Sequence, residues 1–246
     1  MYPEAINNEG TIVGAAQMIN SAYFLAFIYA IEVCKTIGPG KDGISFAGIT
    51  DNYDIIGLHS GGNFLLSHGI LENLPAYPGG EYTGYCCLDT ATGALAGNYA
   101  TDNFGEEVGF LYSNGNFVSL PFSNEQLYFP KIAGMNDKGV AVGTMNSLNL
   151  YGFTYTAGKI TVFAYPGATY TTFNGINNDG LVVGTYYVQE AGKIGIFSYG
   201  LETDTWTDLY FPPEYLAVIP VGITDSGVIA AQYSSSGGLV IATPAN

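Results

Sequence analysis

Few side chains in this sequence offer catalytic chemistry, and their spacing narrows the choices further. Imidazoles occur at His59 and His68. A Ser-His-Asp arrangement would need His59 beside both a nucleophile and a carboxylate, and no Gly-x-Ser-x-Gly turn marks such a nucleophile. His59 is therefore a candidate lone general acid or base, with a solvated loop residue as the plainer reading. Glu106 and Glu190 are the carboxylate candidates. Glycoside hydrolysis wants two carboxyl groups across a fixed gap, which spacing along the chain does not set between separate loops. Glu106 and Glu107 point opposite ways in an extended chain, so they do not form a local pair. Cys34, Cys86 and Cys87 are odd in number and give no disulfide framework. The adjacent Cys86 and Cys87 read as two buried thiols on a strand, ahead of a strained vicinal disulfide. No phosphate-cradling glycine loop, nucleotide fingerprint or Cys/His zinc spacing is present, so neither cofactor nor metal is expected.

Composition sets the scaffold. The 246 residues are 48% hydrophobic and 11% charged, enough apolar material for a large core and an argument against disorder. The 34 glycines and 20 tyrosines suit many short strands joined by tight turns, since Gly opens turn geometry and Tyr packs on pleated surfaces. Acidic residues number 21 against six lysines and no arginine, a net charge of −15. Nucleic acid is excluded as a partner, because phosphate binding needs clustered cations. The missing Arg also argues against a bidentate phosphate or carboxylate site. The most apolar run, AYFLAFIYAIEV (22–33), is too short to span a bilayer, so no membrane insertion is expected. The opening MYPEAINNEG lacks a charged start, an apolar run and a cleavage site. No signal peptide is read there, and a cytosolic protein and a mature secreted form both fit.

The elements that must position these groups are written as a repeat. INNEGTIVG (6–14), ITDNYDIIG (49–57), MNDKGVAVG (135–143), INNDGLVVG (176–184) and ITDSGVIAA (223–231) share one plan, and LDTATGALAG (88–97) is a weaker copy. The plan is an Ile-like residue, two polar residues, a turn and an apolar strand. Successive copies start 39 to 47 residues apart, the period of propeller blades or helical arrays. Turn-rich, β-rich content removes the helical option. Each copy precedes an aromatic strand, such as YGFTY (151–155), and then another such as KITVFAY (159–165). The result is four strands per unit, A to D, with the Asn-Asp-Gly turn joining A to B. One four-stranded sheet cannot bury both faces, so the units must stack radially until a ring closes.

This pattern predicts an all-β, six-bladed β-propeller as a single domain over 1–246, with strand A on the axis. The units run 1–43, 44–81, 82–127, 128–169, 170–215 and 216–246. The last has room for three strands, and its open edge offers a place for a second subunit to pair. The Asn and Asp of the turn read as structural, bonding their own loop. Calcium binding by the same oxygens lacks the spacing of a known site.

YPGATYTTFNGINNDGLVVGTYY (165–187) followed by IGIFSY (194–199) resembles the bacterial extracellular HAF-type repeats. Those repeats run Pro-Gly-Ala-Thr, Gly-Ile-Asn, Val-Gly and then a His-Ala-Phe or His-Gly-Phe strand. The resemblance covers nearly the whole chain and is strongest in units four and five. It implies a propeller-like fold and often an exported protein, with no catalytic residues to carry over. Here Leu25, Val108 and Tyr151 stand where the namesake His would be.

By analogy with other propellers, a ligand would sit at the mouth of the central channel, on the face built by B–C and D–A loops. The B–C loops supply Gln17, Asn20, His59, Tyr99, Asp102, Glu106, Glu107, Asn146, Tyr186, Tyr187 and Glu190, with Tyr233 equivalent to His59 in the last unit. The D–A loops supply Lys41, Asp42, Glu81, Tyr82, Glu125, Tyr128, Tyr170, Glu214 and Tyr215. Expected ligand-binding residues are Gln17, His59, Tyr82, Tyr99, Tyr128, Tyr170, Tyr186 and Tyr233. Expected catalytic residues, if there is catalysis, are His59, Glu106 and Glu190. Phenol rings stack on sugar faces and hydrogen-bond at the rim, although capping strand ends is the plainer role for any one Tyr. The leading reading is a non-catalytic propeller that binds a small neutral ligand, with a glycan a good fit. Its rival is a cofactor-independent cyclase, isomerase or lyase acting on an apolar or aromatic substrate in the same pocket. A structural protein docking through the open edge is the third.

Overall fold

The computed structural model describes residues 1–17, 24–30, 33–37, 43–100, 106–122, 128–146, 149–210, 218–233 and 238–244. Blade one holds β1 (Tyr2–Ile6), β2 (Ile12–Gln17), β3 (Phe24–Ala30) and β4 (Val33–Ile37). Blade two holds β5 (Ser45–Ile49), β6 (Ile55–His59), β7 (Gly62–Ser67) and β8 (Ile70–Asn73). Blade three holds β9 (Tyr82–Leu88), β10 (Leu95–Ala100), β11 (Val108–Ser113) and β12 (Asn116–Ser119). Blade four holds β13 (Phe129–Met135), β14 (Ala141–Asn146), β15 (Leu150–Thr156) and β16 (Lys159–Phe163). Blade five holds β17 (Tyr170–Ile176), β18 (Leu181–Val188), β19 (Lys193–Gly200) and β20 (Thr205–Leu209). Blade six has β21 (Val218–Ile223), β22 (Ile229–Tyr233) and β23 (Leu239–Ala242).

Each sheet is antiparallel and runs in chain order. The first strands pack side by side, β1 on β5, β5 on β9, β9 on β13, β13 on β17 and β17 on β21, and β21 returns to β1. The chain is therefore a closed six-bladed β-propeller with strand A innermost and a three-stranded last blade, as the repeat predicts. No helix among the described residues is long and apolar enough to cross a membrane.

Between neighbouring blades lies an apolar layer, and the glycine that ends each repeat is what lets it form. Strand B carries Gly14, Gly57, Gly97, Gly143 and Gly184 opposite Phe27, Phe64, Phe110, Phe153 and Phe197 of strand C. A Cβ on any of these glycines would overlap both its Phe ring and a strand A carbonyl, and all five rings are buried. Blade six keeps the rule by changing both partners: Ala231 faces Val240. Val240 is smaller than the Phe of the other blades.

Strand A carries a second device. A one-residue β-bulge interrupts its pairing in every blade, at Glu4, Ala47, Cys86, Ala133, Asn174 and Val221. The extra residue is left off the ladder and bends the strand, and all six of these residues line the axial channel. Gly48, Gly134, Gly175 and Gly222 follow the bulge, where inner strands nearly touch. A Cβ on Gly175 would lie 3.0 Å from the Gly222 Cα of the next blade. This contact explains the glycine that opens the copies in blades four to six.

Candidate functional site

The channel has two dissimilar mouths. One is ringed by the A–B turns. The first polar residue of each turn is buried and holds its own loop: Asn177 Oδ1 accepts the N–H groups of Asp179 (3.1 Å) and Leu181 (2.8 Å). Three of these residues also reach the next blade. Asn7, Asn136 and Asn177 donate Nδ2–H to the carbonyls of Thr50 (3.1 Å), Asn177 (3.0 Å) and Thr224 (3.0 Å). The second polar residues, Asn8, Asp51, Thr90, Asp137, Asn178 and Asp225, form a belt. The N–H of Asn8 donates to Asp51 (2.7 Å), Thr90 to Asp137 (2.8 Å), Asp137 to Asn178 (2.9 Å), Asn178 to Asp225 (2.8 Å) and Asp225 to Asn8 (2.6 Å). Bonding within the loop was expected from the sequence; the blade-to-blade belt is an addition that one repeat unit read alone does not reveal.

Blade two is the weak point of this belt. Tyr53 takes the place of the turn glycine with φ 62°, a region that costs a bulky residue. In the same turn, Asp54 Oδ1 is a buried side-chain oxygen without a hydrogen-bond partner.

Inside the belt, Ile6, Ile49, Leu88, Met135, Ile176 and Ile223 form an apolar collar, one residue from each blade. Beyond it the channel widens into a cavity of about 310 Å³ whose lining includes Glu4, Tyr82, Asn98, Glu107, Lys131 and Asn174. Here the blades differ, because the bulge position supplies a carboxylate, a thiol, an amide or an alkyl group according to blade. Lys131 pairs with Glu107. Tyr82 is half exposed, and Gly84 leaves the space its hydroxyl occupies. Burial, and then the negative Glu107, raise its pKa. Glu4 opens onto the channel yet is largely walled in by protein, so desolvation pushes its carboxyl up to about 7 against the pull of Lys131. A group titrating there can accept or donate a proton near neutrality.

The nominated residues separate accordingly. Tyr82 lines the wide cavity, as does Glu107. Tyr99 and Tyr186 are buried within blades, stacked on Tyr77 at 3.6 Å and Tyr165 at 3.9 Å between ring centres. His59 stacks on Phe64, its Nδ1 accepting the Gly61 N–H at 2.8 Å, and it does not border this cavity. Tyr170 stacks on Tyr187, and Tyr128 and Tyr233 pack against inter-blade layers. Glu106 accepts from Asn146 at 3.2 Å, while Glu107 pairs with Lys131. Glu190 is exposed in the β18–β19 turn, and Gln17 is exposed at the end of β2. Asn20, Lys41, Asp42, Asp102, Glu125, Glu214 and Tyr215 lie outside the described residues. Glu4, Asn98, Lys131 and Asn174 escaped the sequence reading because they sit on strands rather than loops. Two of them, Glu4 and Asn174, are the spare residue of their strand A.

No family model matches the chain, and no curated protein is similar to it.

Proposed function

We propose that this chain is a ligand-binding propeller of the HAF-repeat kind, holding one small neutral ligand in the wide mouth. The carrying observation is a cavity of about 310 Å³ with a mixed polar lining, closed on the axis by an apolar collar. That volume is at the small end of ligand pockets and is on the scale of a sugar ring. Tyr82 offers a face for stacking, while Asn98, Asn174, Glu107 and Lys131 offer hydrogen bonds around it. With Glu107 and Lys131 paired and Glu4, the remaining carboxyl of the lining, pushed up to about 7, the wall carries less than one net negative charge at neutral pH, which favours a neutral guest.

The test is saturation-transfer NMR with a panel of neutral mono- and disaccharides, followed by titration of any binder. Tyr82→Ala should weaken binding at least about tenfold, equivalent to about 1.4 kcal/mol, with unfolding unchanged. Absence of binding across the panel, or full affinity in the variant, would contradict the assignment. The raised pKa of Glu4 favours a second reading, an enzyme without cofactor that moves one proton in the same cavity. Turnover that follows a titration near pH 7 and vanishes in Glu4→Gln would select it.

A further inference from the structure

Strand alternation would send Cys86 and Cys87 to opposite faces of β9. The bulge at Cys86 cancels that alternation. Their Sγ atoms lie 2.7 Å apart, with the Cys87 thiol donating to Cys86, and both residues line the channel. Cys86 is half-buried and also borders the wide cavity, while Cys87 is buried in the innermost ring. The bond to Cys86 and then burial raise the pKa of Cys87, so its proton stays in place while Cys86 is the sulfur a solute meets. The third cysteine, Cys34, is exposed on the outer strand β4, beside the Met1 thioether.

We propose that Cys86 and Cys87 are a redox-active dithiol in the channel wall, oxidised by small peroxides that enter through the wide mouth. The Cys86 thiolate attacks one peroxide oxygen and the O–O bond breaks. The proton that Cys86 had released converts the departing hydroxide to water, leaving a sulfenic acid. The Cys87 sulfur then displaces the sulfenic oxygen, which leaves as a second water carrying the Cys87 proton, and an S–S bond forms. One peroxide gains the two electrons that the two thiols lose. Neighbouring Cα atoms are about 3.8 Å apart across a trans peptide, short of the roughly 4.4–6.8 Å that disulfides prefer. The product is strained, hence of the easily reduced kind, and the couple is reversible. None of this depends on the ligand proposed above.

The test uses the full chain with Cys34→Ser, treated with a slight excess of hydrogen peroxide and then alkylated. Both remaining thiols should escape alkylation, the peptide containing them should lose the mass of two hydrogens, and glutathione should restore both. Phenylarsine oxide, which bridges paired thiols, should protect the same two from alkylation. In Cys86→Ser, the buried Cys87 should oxidise at least about tenfold more slowly than in the parent. Two alkylatable thiols after peroxide, a sulfinic acid on Cys86 beside a free Cys87, or an unchanged Cys87 rate would each overturn the proposal.

Discussion

The two mouths of the channel are built by the same six strands and differ in what the repeat holds constant. At the belt end each blade contributes a polar pair, and at five of the six junctions the second residue's N–H donates to the side chain of the next blade's equivalent. At the wide end the same strands present Glu4, Ala47, Cys86, Ala133, Asn174 and Val221 at one equivalent position. Uniformity closes a ring, because each junction repeats a bond that the next can copy. Divergence makes a site, because a small ligand needs unlike groups at fixed places.

If constancy marks structure, the largest losses should come from the strand B glycines that recur in blades one to five. Gly184→Ala sets a methyl into the Thr172 carbonyl and the Phe197 ring; overpacking costs typically about 1–3 kcal/mol, and with backbone in the way the upper end or more is expected. Ala231→Gly in blade six should cost below about 1 kcal/mol. Denaturant unfolding measures both, and equal losses would break the contrast.

Next in size are the two asparagines three residues apart. Asn177→Ala removes two loop bonds and the bond to Thr224, and should cost about 2–4 kcal/mol through unmet buried groups. Asn174→Ala, at the wide mouth, should stay within about 0.5 kcal/mol.

Smaller again is Tyr53→Gly, which should stabilise by about 0.5–1 kcal/mol. It relieves left-handed strain of about 1–2 kcal/mol and gives part back as glycine entropy. Unchanged or lower stability would remove blade two as the weak point.

A further effect is a pH dependence. Folded Glu4 titrates near 7 instead of its ordinary 4.5, so between those values the folded state holds more proton than the unfolded one. Stability should therefore fall as pH rises through that window and then level off. Glu4→Gln should lose this slope, and a slope retained in the variant would assign it elsewhere.

The ring was legible in the sequence because its rules are local and repeated. A turn, a terminal glycine and an aromatic strand recur with the period of a blade, and each has a steric cause visible in any one copy. The site was less legible. Reading the loops as the mouth found Tyr82 but also drew in Tyr99 and Tyr186. Those two are covered by Tyr77 and Tyr165, each of which begins a Tyr-Pro-Gly stretch. A Tyr-Pro-Gly near the end of units two and four, each followed by a strand B Tyr in the next unit, was the clue. Glu4 and Asn174 sit at a bulge, which shifts alternation by one residue, and Lys131 is an in-register strand A residue whose place at the mouth a loop-based reading does not reach. The reading of Cys86 and Cys87 as two free thiols on a strand holds; the same shift adds that they lie side by side.

The division of labour between the mouths is tested most directly by mapping amide shifts on isotope-labelled protein during titration with a saccharide that binds. Perturbations should gather at Tyr82, Asn98, Lys131 and Asn174 and leave the belt residues Asn8, Asp137, Asn178 and Asp225 unmoved. Shifts centred on the belt, with the wide mouth silent, would contradict it.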